Sequence, residues 1–291
     1  MPALGIQALK RRIRSVENTA QITRAMKLVA GAKLRRAQER AERSRRYFDT
    51  IRETMARAAD SAGSMTKSPL FEAREVRREG FVVVSSDRGL AGPFNANVLR
   101  LTAEQMRRSP GTVAVFAVGR KARDAYRRRA VPMLGEFIQL GDDPHYFQAK
   151  AIADAIMAQY LAGDVDRVTL VYTEFINAMI QRPKAVSLLP MSPEDLKSGA
   201  GAGAVSVQYV FEPDPETVLA DLVPRYVEVL LYGALLESKA SEHGARMTAM
   251  DAATKNSEEL LRTMTLTRNR LRQAAITREI AELVGGAAAL E

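Results

Sequence analysis

The sequence predicts an α/β protein: a long antiparallel coiled coil of N- and C-terminal helices, plus an inserted domain with a central, largely parallel sheet. Three observations predict it. Apolar residues near both ends of the 291-residue chain recur in steps of three and four, the rhythm of a coiled-coil seam. Between the ends, short apolar runs alternate with helical patterns, the mark of βαβ units. Aromatics, which fill compact cores efficiently, are scarce, with no Trp, nine Phe and eight Tyr. Much of the chain is therefore expected to be long helix.

The N-terminal helix comes first. From Ala3 to Ala62 there is no proline, and the only glycines are Gly5 and Gly31. Ile6, Leu9, Ile13, Val16 and Ala20 step by three, four, three and four. The register is then expected to shift to Ile22, Met26 and Val29, a change that locally rewinds a supercoil. Gly63 and Pro69 punctuate the end. A helix of roughly 60 residues would be about 90 Å long, so it is expected to project from any compact domain.

Residues 80–211 read differently. Phe81–Val84, Thr112–Val118, Val168–Phe175, Ala185–Leu189 and Val205–Phe211 are apolar runs of strand length. Asn95–Arg107, Arg120–Arg129 and Phe147–Leu161 carry helical patterns between them. This alternation implies a Rossmann-like domain. Ser198–Ala204 alternates Gly and Ala and reads as a surface loop. From Pro215 to about Val284 the helical pattern returns, weakly interrupted by Pro224, Gly233 and Gly244. Ile276, Ile280, Leu283, Ala287 and Leu290 restore the heptad steps. Pairing the two termini buries both seams, which would otherwise leave apolar stripes in water. The expected division is 1–65 and 214–291 for the coil and 66–213 for the α/β domain.

Composition narrows the chemistry. Hydrophobic residues at 46% and charged residues at 26% fit a folded protein. The absence of Cys removes disulfides, thiolate metal sites and a Cys nucleophile. His145 and His243 lie nearly 100 positions apart without ligand spacing, so no metal and no cofactor are expected. No apolar run reaches the length of roughly 20 residues that a membrane-spanning helix needs. The basic, amphipathic start at Met1–Arg14 lacks an apolar signal core and runs into the helix, so it reads as mature protein.

The net charge of +9 is local: residues 1–60 hold 15 Lys/Arg against 6 Asp/Glu, and the rest balances. The clusters Lys10–Arg14, Lys33–Arg36 and Arg43–Arg46 admit three readings: a solvated face, a face toward an acidic protein, or a nucleic-acid contact. No aromatic that could stack on a base precedes Tyr47.

Motifs for chemistry are missing. There is neither a Gly-x-x-x-x-Gly-Lys-Ser/Thr phosphate loop nor a Gly-x-Gly-x-x-Gly after the first strand. The turn Ser85–Asn95 stands where anions bind in some folds. Its simplest reading is a tight turn with glycine freedom, capped by Asp87 or Asn95.

Four stretches carry a resemblance. Ile13–Ala30 strongly resembles the N-terminal signature of the gamma subunits of bacterial F-type ATP synthases. Ser86–Asn97 resembles that family's turn after the first strand. Ser241–Asn256 and Asn269–Ala287 are similar to its C-terminal helix. Order, spacing and length agree end to end. The turn departs from the family's Gly-Leu-Cys-Gly-Gly-Phe-Asn at Ala91 and Pro93, which weakens any special role for that Cys. The paired cysteines of the chloroplast redox insertion are absent, which favours a bacterial enzyme.

The resemblance implies a non-catalytic central rotary shaft. Proton-driven rotation of a c-ring would turn it, and its asymmetry would drive the catalytic beta subunits through their nucleotide affinities. The implied partners are the alpha and beta subunits, the epsilon subunit and the c-ring, with no nucleic acid and no membrane span. The implied location is the cytoplasmic side of the cell inner membrane, held peripherally. Motif matching carries the shaft contacts to Met26, Arg246, Gln273, Thr277, Glu279 and Glu282. Arg246, Gln273 and Thr277 would hydrogen-bond the beta subunits, and Met26 would offer an adaptable apolar contact. For Met26 a seam position is the alternative. Arg24 and Lys27 are equally readable as contacts or as solvated face. Leu283–Leu290 is implied as an apolar bearing sleeve, or else as ordinary seam. The rival reading is a nucleic-acid-binding helical protein with an α/β module. A second rival uses the turn at Asp87 as an enzyme's anion site.

Overall fold

The computed structural model describes residues 2–62, 69–191 and 215–288. Ten elements follow in order: α1 (Pro2–Ala62), β1 (Arg78–Val84), α2 (Phe94–Arg108), β2 (Thr112–Val118), α3 (Arg120–Arg128), β3 (Met133–Phe137), α4 (Tyr146–Leu161), β4 (Arg167–Phe175), β5 (Gln181–Leu189) and α5 (Pro215–Ala288). The expected strand at Val205–Phe211 and loop at Ser198–Ala204 lie outside the described residues. The chain packs as two compact units: Met1–Ala30 with Met247–Glu291, and Gly31–Arg246.

In the first unit the two long helices pair antiparallel. Thr254 Oγ1 donates to Thr23 Oγ1 at 2.8 Å, and Lys27 Nζ meets Asp251 Oδ1 at 2.6 Å. Moving up α1 by four residues moves down α5 by three, which defines the antiparallel register. On α1 the buried and half-buried positions from Leu9 to Ala30 are Leu9, Ile13, Val16, Ala20, Thr23, Met26, Lys27 and Ala30, and all but Met26 alternate in steps of four and three. The expected register shift is therefore absent. Ile22 (60% exposed) and Val29 (53%) face out, and Thr23 and Lys27 hold the seam positions. A hydroxyl partner on α5 and an ion pair satisfy these two polar groups, so the period continues without an apolar residue at either place.

A second correction concerns the end of α5. Ile276, Ile280 and Leu283 were expected in the seam, yet they are 47%, 56% and 74% exposed. The Thr23–Thr254 register sets the start of α1 opposite the region of Ile276. The last turns of α5 thus run past the helix that would cover them. Ala287 has no described side chain, and Leu290 lies outside the described residues.

The second unit holds the five-stranded sheet, ordered β3-β2-β1-β4-β5, parallel except for the antiparallel edge strand β5. The first strand shows why these residues make a central strand. Phe81 and Val83 point to one face, against Val98, Ala122 and Tyr126 of α2 and α3. Val82 and Val84 point to the other, against Ile152 and Ile156 of α4, Met55 of α1 and Val227, Leu231 and Leu235 of α5. A strand covered on both faces reads as one continuous apolar run, which is how Phe81–Val84 appears. The short β3 has no such run: Met133–Phe137 is half-buried and broken by Gly135.

Candidate functional site

The turn after β1 is a packing device. Asp87 Oδ1 accepts from the backbone N–H of Arg120 at 2.9 Å and of Gln139 at 3.2 Å, so it occupies the N-terminal end of α3 that an anion would need. Asn95 ties Ser86 by accepting its N–H at 3.0 Å and donating to its hydroxyl at 2.8 Å. Gly92 takes φ +54°, the freedom expected of the turn, and Leu90 takes φ +60°. Both departures from the family pattern fit. Ala91 is buried in a cluster with Phe94 and Ala245 of α5, where only a small side chain is required. Pro93 precedes α2 at φ −81°, which its ring allows.

In doubly wound folds a ligand lies beyond the carboxyl ends of the strands. Here that crest is closed by α5. Leu235, Ser238, Lys239 and Glu242 face Val84, Ser85, Asp87 and Gly119 around a cavity of about 10 Å³, room for a single water. Among the described residues no group of acidic or histidine side chains is arranged to hold a metal, and no helix is long and apolar enough to cross a membrane.

A buried polar network sits on the same stretch of α5. Glu242 accepts from Lys239 at 3.0 Å and from Arg246 at 2.8 Å, with side chains only 5%, 11% and 12% exposed. Arg246 also donates to the carbonyl of Gly89 at 3.2 Å. Beside them His243 is buried, with neither ring nitrogen hydrogen-bonded among the described residues. Burial, the largest cause, depresses its pKa to about 4. Glu242 and Asp142 oppose that shift, and Arg246 and Lys239 add to it. The unfolded imidazole takes up a proton below about 6.5, while the folded one resists until about 4. The unfolded state therefore binds more protons in this window, and stability falls as pH falls. Between pH 6.5 and pH 4 this group is expected to remove about 3 kcal/mol. Urea titrations of the parent and of His243→Gln at pH 7 and pH 4.5 check this: the variant should lose less stability on acidification.

The six residues expected to contact partners do not form one cluster. Arg246 belongs to the second unit and is engaged there by Glu242 and Gly89. Met26, in the first unit, is half-buried, and Gln273, Thr277, Glu279 and Glu282 are all exposed. The register places Met26 near Asp251, so Gln273 stands about 30 Å further along α5. On a helical projection Gln273 and Thr277 share a face with Ile276, Ile280, Leu283 and Val284, Glu279 borders that face beside Ile276 and Leu283, and Glu282 lies on the other side. The result is an exposed apolar stripe with two hydrogen-bonding groups set in it. On α1 an exposed apolar group, Ile22, Leu28 and Val29, flanks Met26. The cations Lys10, Arg11, Arg12 and Arg14 are exposed beyond it.

The sequence did not single out the cross-helix pairs. Arg24 joins Glu258 and Lys27 joins Asp251. Lys27 first, and then Lys255, hold the Asp251 carboxyl below its usual range. The available signal was the placement of Arg24 and Lys27 beside a seam, with acids at matching positions on α5.

These features define a class: a chain with an antiparallel two-helix coil in one unit and, in the other, an α/β body whose ligand crest is sealed by α5. The family model described as ATP synthase matches residues 5–290. The chain is 49% identical to the ATP synthase gamma chain of Desulforamulus reducens over 284 residues, 97% of this chain and 98% of that one. It is likewise 49% identical to the ATP synthase gamma chain of Moorella thermoacetica over 283 residues, again 97% and 98%. A chain from the central stalk and c-ring structure of the Tetrahymena thermophila mitochondrial ATP synthase superposes with TM-score 0.62 at 26% identity, covering 80% of this chain and 99% of that one. The chain belongs to the ATP synthase gamma chain family.

Proposed function

We propose that this chain is the non-catalytic central rotary shaft of an F-type ATP synthase. The alpha and beta subunits grip its two-helix coil, the c-ring and the epsilon subunit engage its α/β body, and the complex sits on the cytoplasmic side of the inner membrane. The observation that carries the reading is the uncovered stripe on α5. A chain that leaves Ile276, Ile280, Leu283 and Val284 in water is built for a surrounding surface to cover them. Gln273 and Thr277 within that stripe, Glu279 at its border, Glu282 on the opposite face of α5, and Met26 on α1 are the proposed contacts. Arg246 is proposed to reach a beta subunit only while keeping its hold on Glu242.

Such a shaft drives its partners only if its contacts differ between their conformations, because equal affinity for every state shifts nothing. The asymmetry is visible here: one side of the coil is apolar and the start of α1 is cationic. The α/β body offers a second surface. Arg77, Arg78, Arg107, Arg108, Arg128 and Arg167 are exposed at the strand starts and helix ends along one edge of the sheet. They outnumber Glu72, Glu75, Asp164 and Asp166 there, and this edge suits an acidic seat on the c-ring.

The nucleic-acid reading fits less well. Arg24, Lys27, Lys33 and Arg40 are committed to ion pairs within the chain, and along the basic face of α1 no stacking aromatic precedes Tyr47. Co-expression with alpha and beta subunits tests the proposal. The expected product contains one copy of this chain per hexameric ring. A ring that assembles without it, or binding of the lone chain to DNA with a steep salt dependence, would overturn the shaft reading.

A further inference from the structure

Two side chains of α5 hydrogen-bond one and the same residue of β4. The β1–β4 pairing stops at Val83↔Val171, so β4 beyond that point has no strand on its β1 side. On its other side Thr173 stands opposite Pro183 of β5, which has no N–H to give. The Thr173 N–H and carbonyl therefore turn to the strandless side without a ladder partner, although the residue is buried at 3% exposure.

Two serines of α5 supply what is missing. The Thr173 N–H donates to Ser238 Oγ at 3.2 Å, and Ser241 Oγ donates to the Thr173 carbonyl at 3.2 Å. Both serines are buried, and a spacing of three puts them on one face of the helix. Gly244, three residues further on, continues that face. A Cβ there would lie 3.3 Å from the Ala178 carbonyl oxygen and 3.3 Å from Gln181 Nε2, so a residue without a side chain lets α5 lie close against the β4–β5 hairpin.

We propose that Ser238 and Ser241 are positioning residues for rotation: a two-point bracket on the Thr173 peptide that fixes the roll of α5 about its own axis against the sheet. Packed apolar surfaces resist separation but tolerate some sliding, because they are non-directional. A donor and an acceptor engaged on one residue's backbone are directional, and rolling the helix by one residue's angle breaks both. Torque passing between the α/β body and α5 is held at this bracket. The proposal rests on the shaft reading.

The test uses the assembled synthase in closed vesicles, comparing ATP hydrolysis with ATP-driven ion pumping. Ser238→Ala/Ser241→Ala is expected to assemble and hydrolyse ATP at the parent rate but to pump fewer ions per ATP. Slip should rise about tenfold, the factor that corresponds to 1.4 kcal/mol of lost hydrogen bonding. Val227→Ala, a core truncation elsewhere on α5, is the control; it should lower stability and leave the ratio unchanged. A parental ratio in the double variant overturns the bracket, as does equal slip in Val227→Ala, which would make the effect one of stability alone. If the parent chain does not enter the ring at all, the shaft reading fails first.

Discussion

Replacing Gly119 with alanine is expected to cost the α/β body at least about 4 kcal/mol, placing it among the rare severe substitutions. Gly119 joins β2 to α3 at φ +92° and ψ 147°, a backbone state open essentially to glycine alone. A Cβ there would also lie 2.2 Å from the Ser85 carbonyl oxygen and 2.8 Å from Ser85 Oγ. The closer contact is with backbone at the carboxyl ends of β1 and β2, which cannot swing aside as a side-chain end could. Relief requires moving the backbone. That movement breaks the bond from Gly119 N–H to the Phe137 carbonyl at 2.7 Å and strains the bond from Ser85 N–H to the Val118 carbonyl at 2.8 Å. A melt of Gly119→Ala should show its midpoint lowered by about 10 °C or more. A midpoint within experimental error of the parent would show that the turn can relax and that this account is wrong.

The second large effect belongs to Glu242. Its carboxylate is the common partner of two buried cations, Lys239 and Arg246. Glu242→Ala leaves both without their anion in a dehydrated site, a loss of about 3–5 kcal/mol. Arg246 keeps only the Gly89 carbonyl, a neutral acceptor. The cause is an uncompensated charge, so removing a charge should help: Lys239→Met added to Glu242→Ala is expected to restore part of the loss. Denaturant unfolding of the parent, the single variant and the double variant measures this. Simple additivity of Lys239→Met and Glu242→Ala would show that the two side chains do not interact and would remove the network from the explanation.

Much of this architecture was legible in the sequence because its signals are local and periodic. β2 occupies Thr112–Val118 as read, since a doubly covered strand has no polar position to blur its ends. α1 was visible from the absence of breakers, and α5 from a helical pattern that Pro224, Gly233 and Gly244 interrupt only weakly. β3 was not, because on a half-buried edge strand Gly135 and Glu136 are as acceptable as apolar residues. The seam was misread for a related reason. Apolar content suggested Ile22, Met26 and Val29, but the partner helix offers Thr254 and Asp251, so Thr23 and Lys27 are the residues that turn inward. A single helix's sequence does not contain its partner's chemistry. The same limit applies at Ile276 and Ile280, whose spacing marks a face to be covered without naming what covers it. The contact proposed for Arg246 rests on resemblance alone. Its bond to Gly89, 157 positions away, has no sequence signature.

The hydroxyl contact between Thr23 and Thr254 has a consequence for how the two ends find each other. A purely greasy zipper repeats itself every seven residues, so a strand of it displaced by one repeat, about 10 Å, would fit nearly as well. One polar layer removes that degeneracy, because its two members meet in a single alignment and are stranded in every other. The threonine pair thus acts as an index mark for the winding, giving up a little adhesion so that the two ends stop sliding in one place.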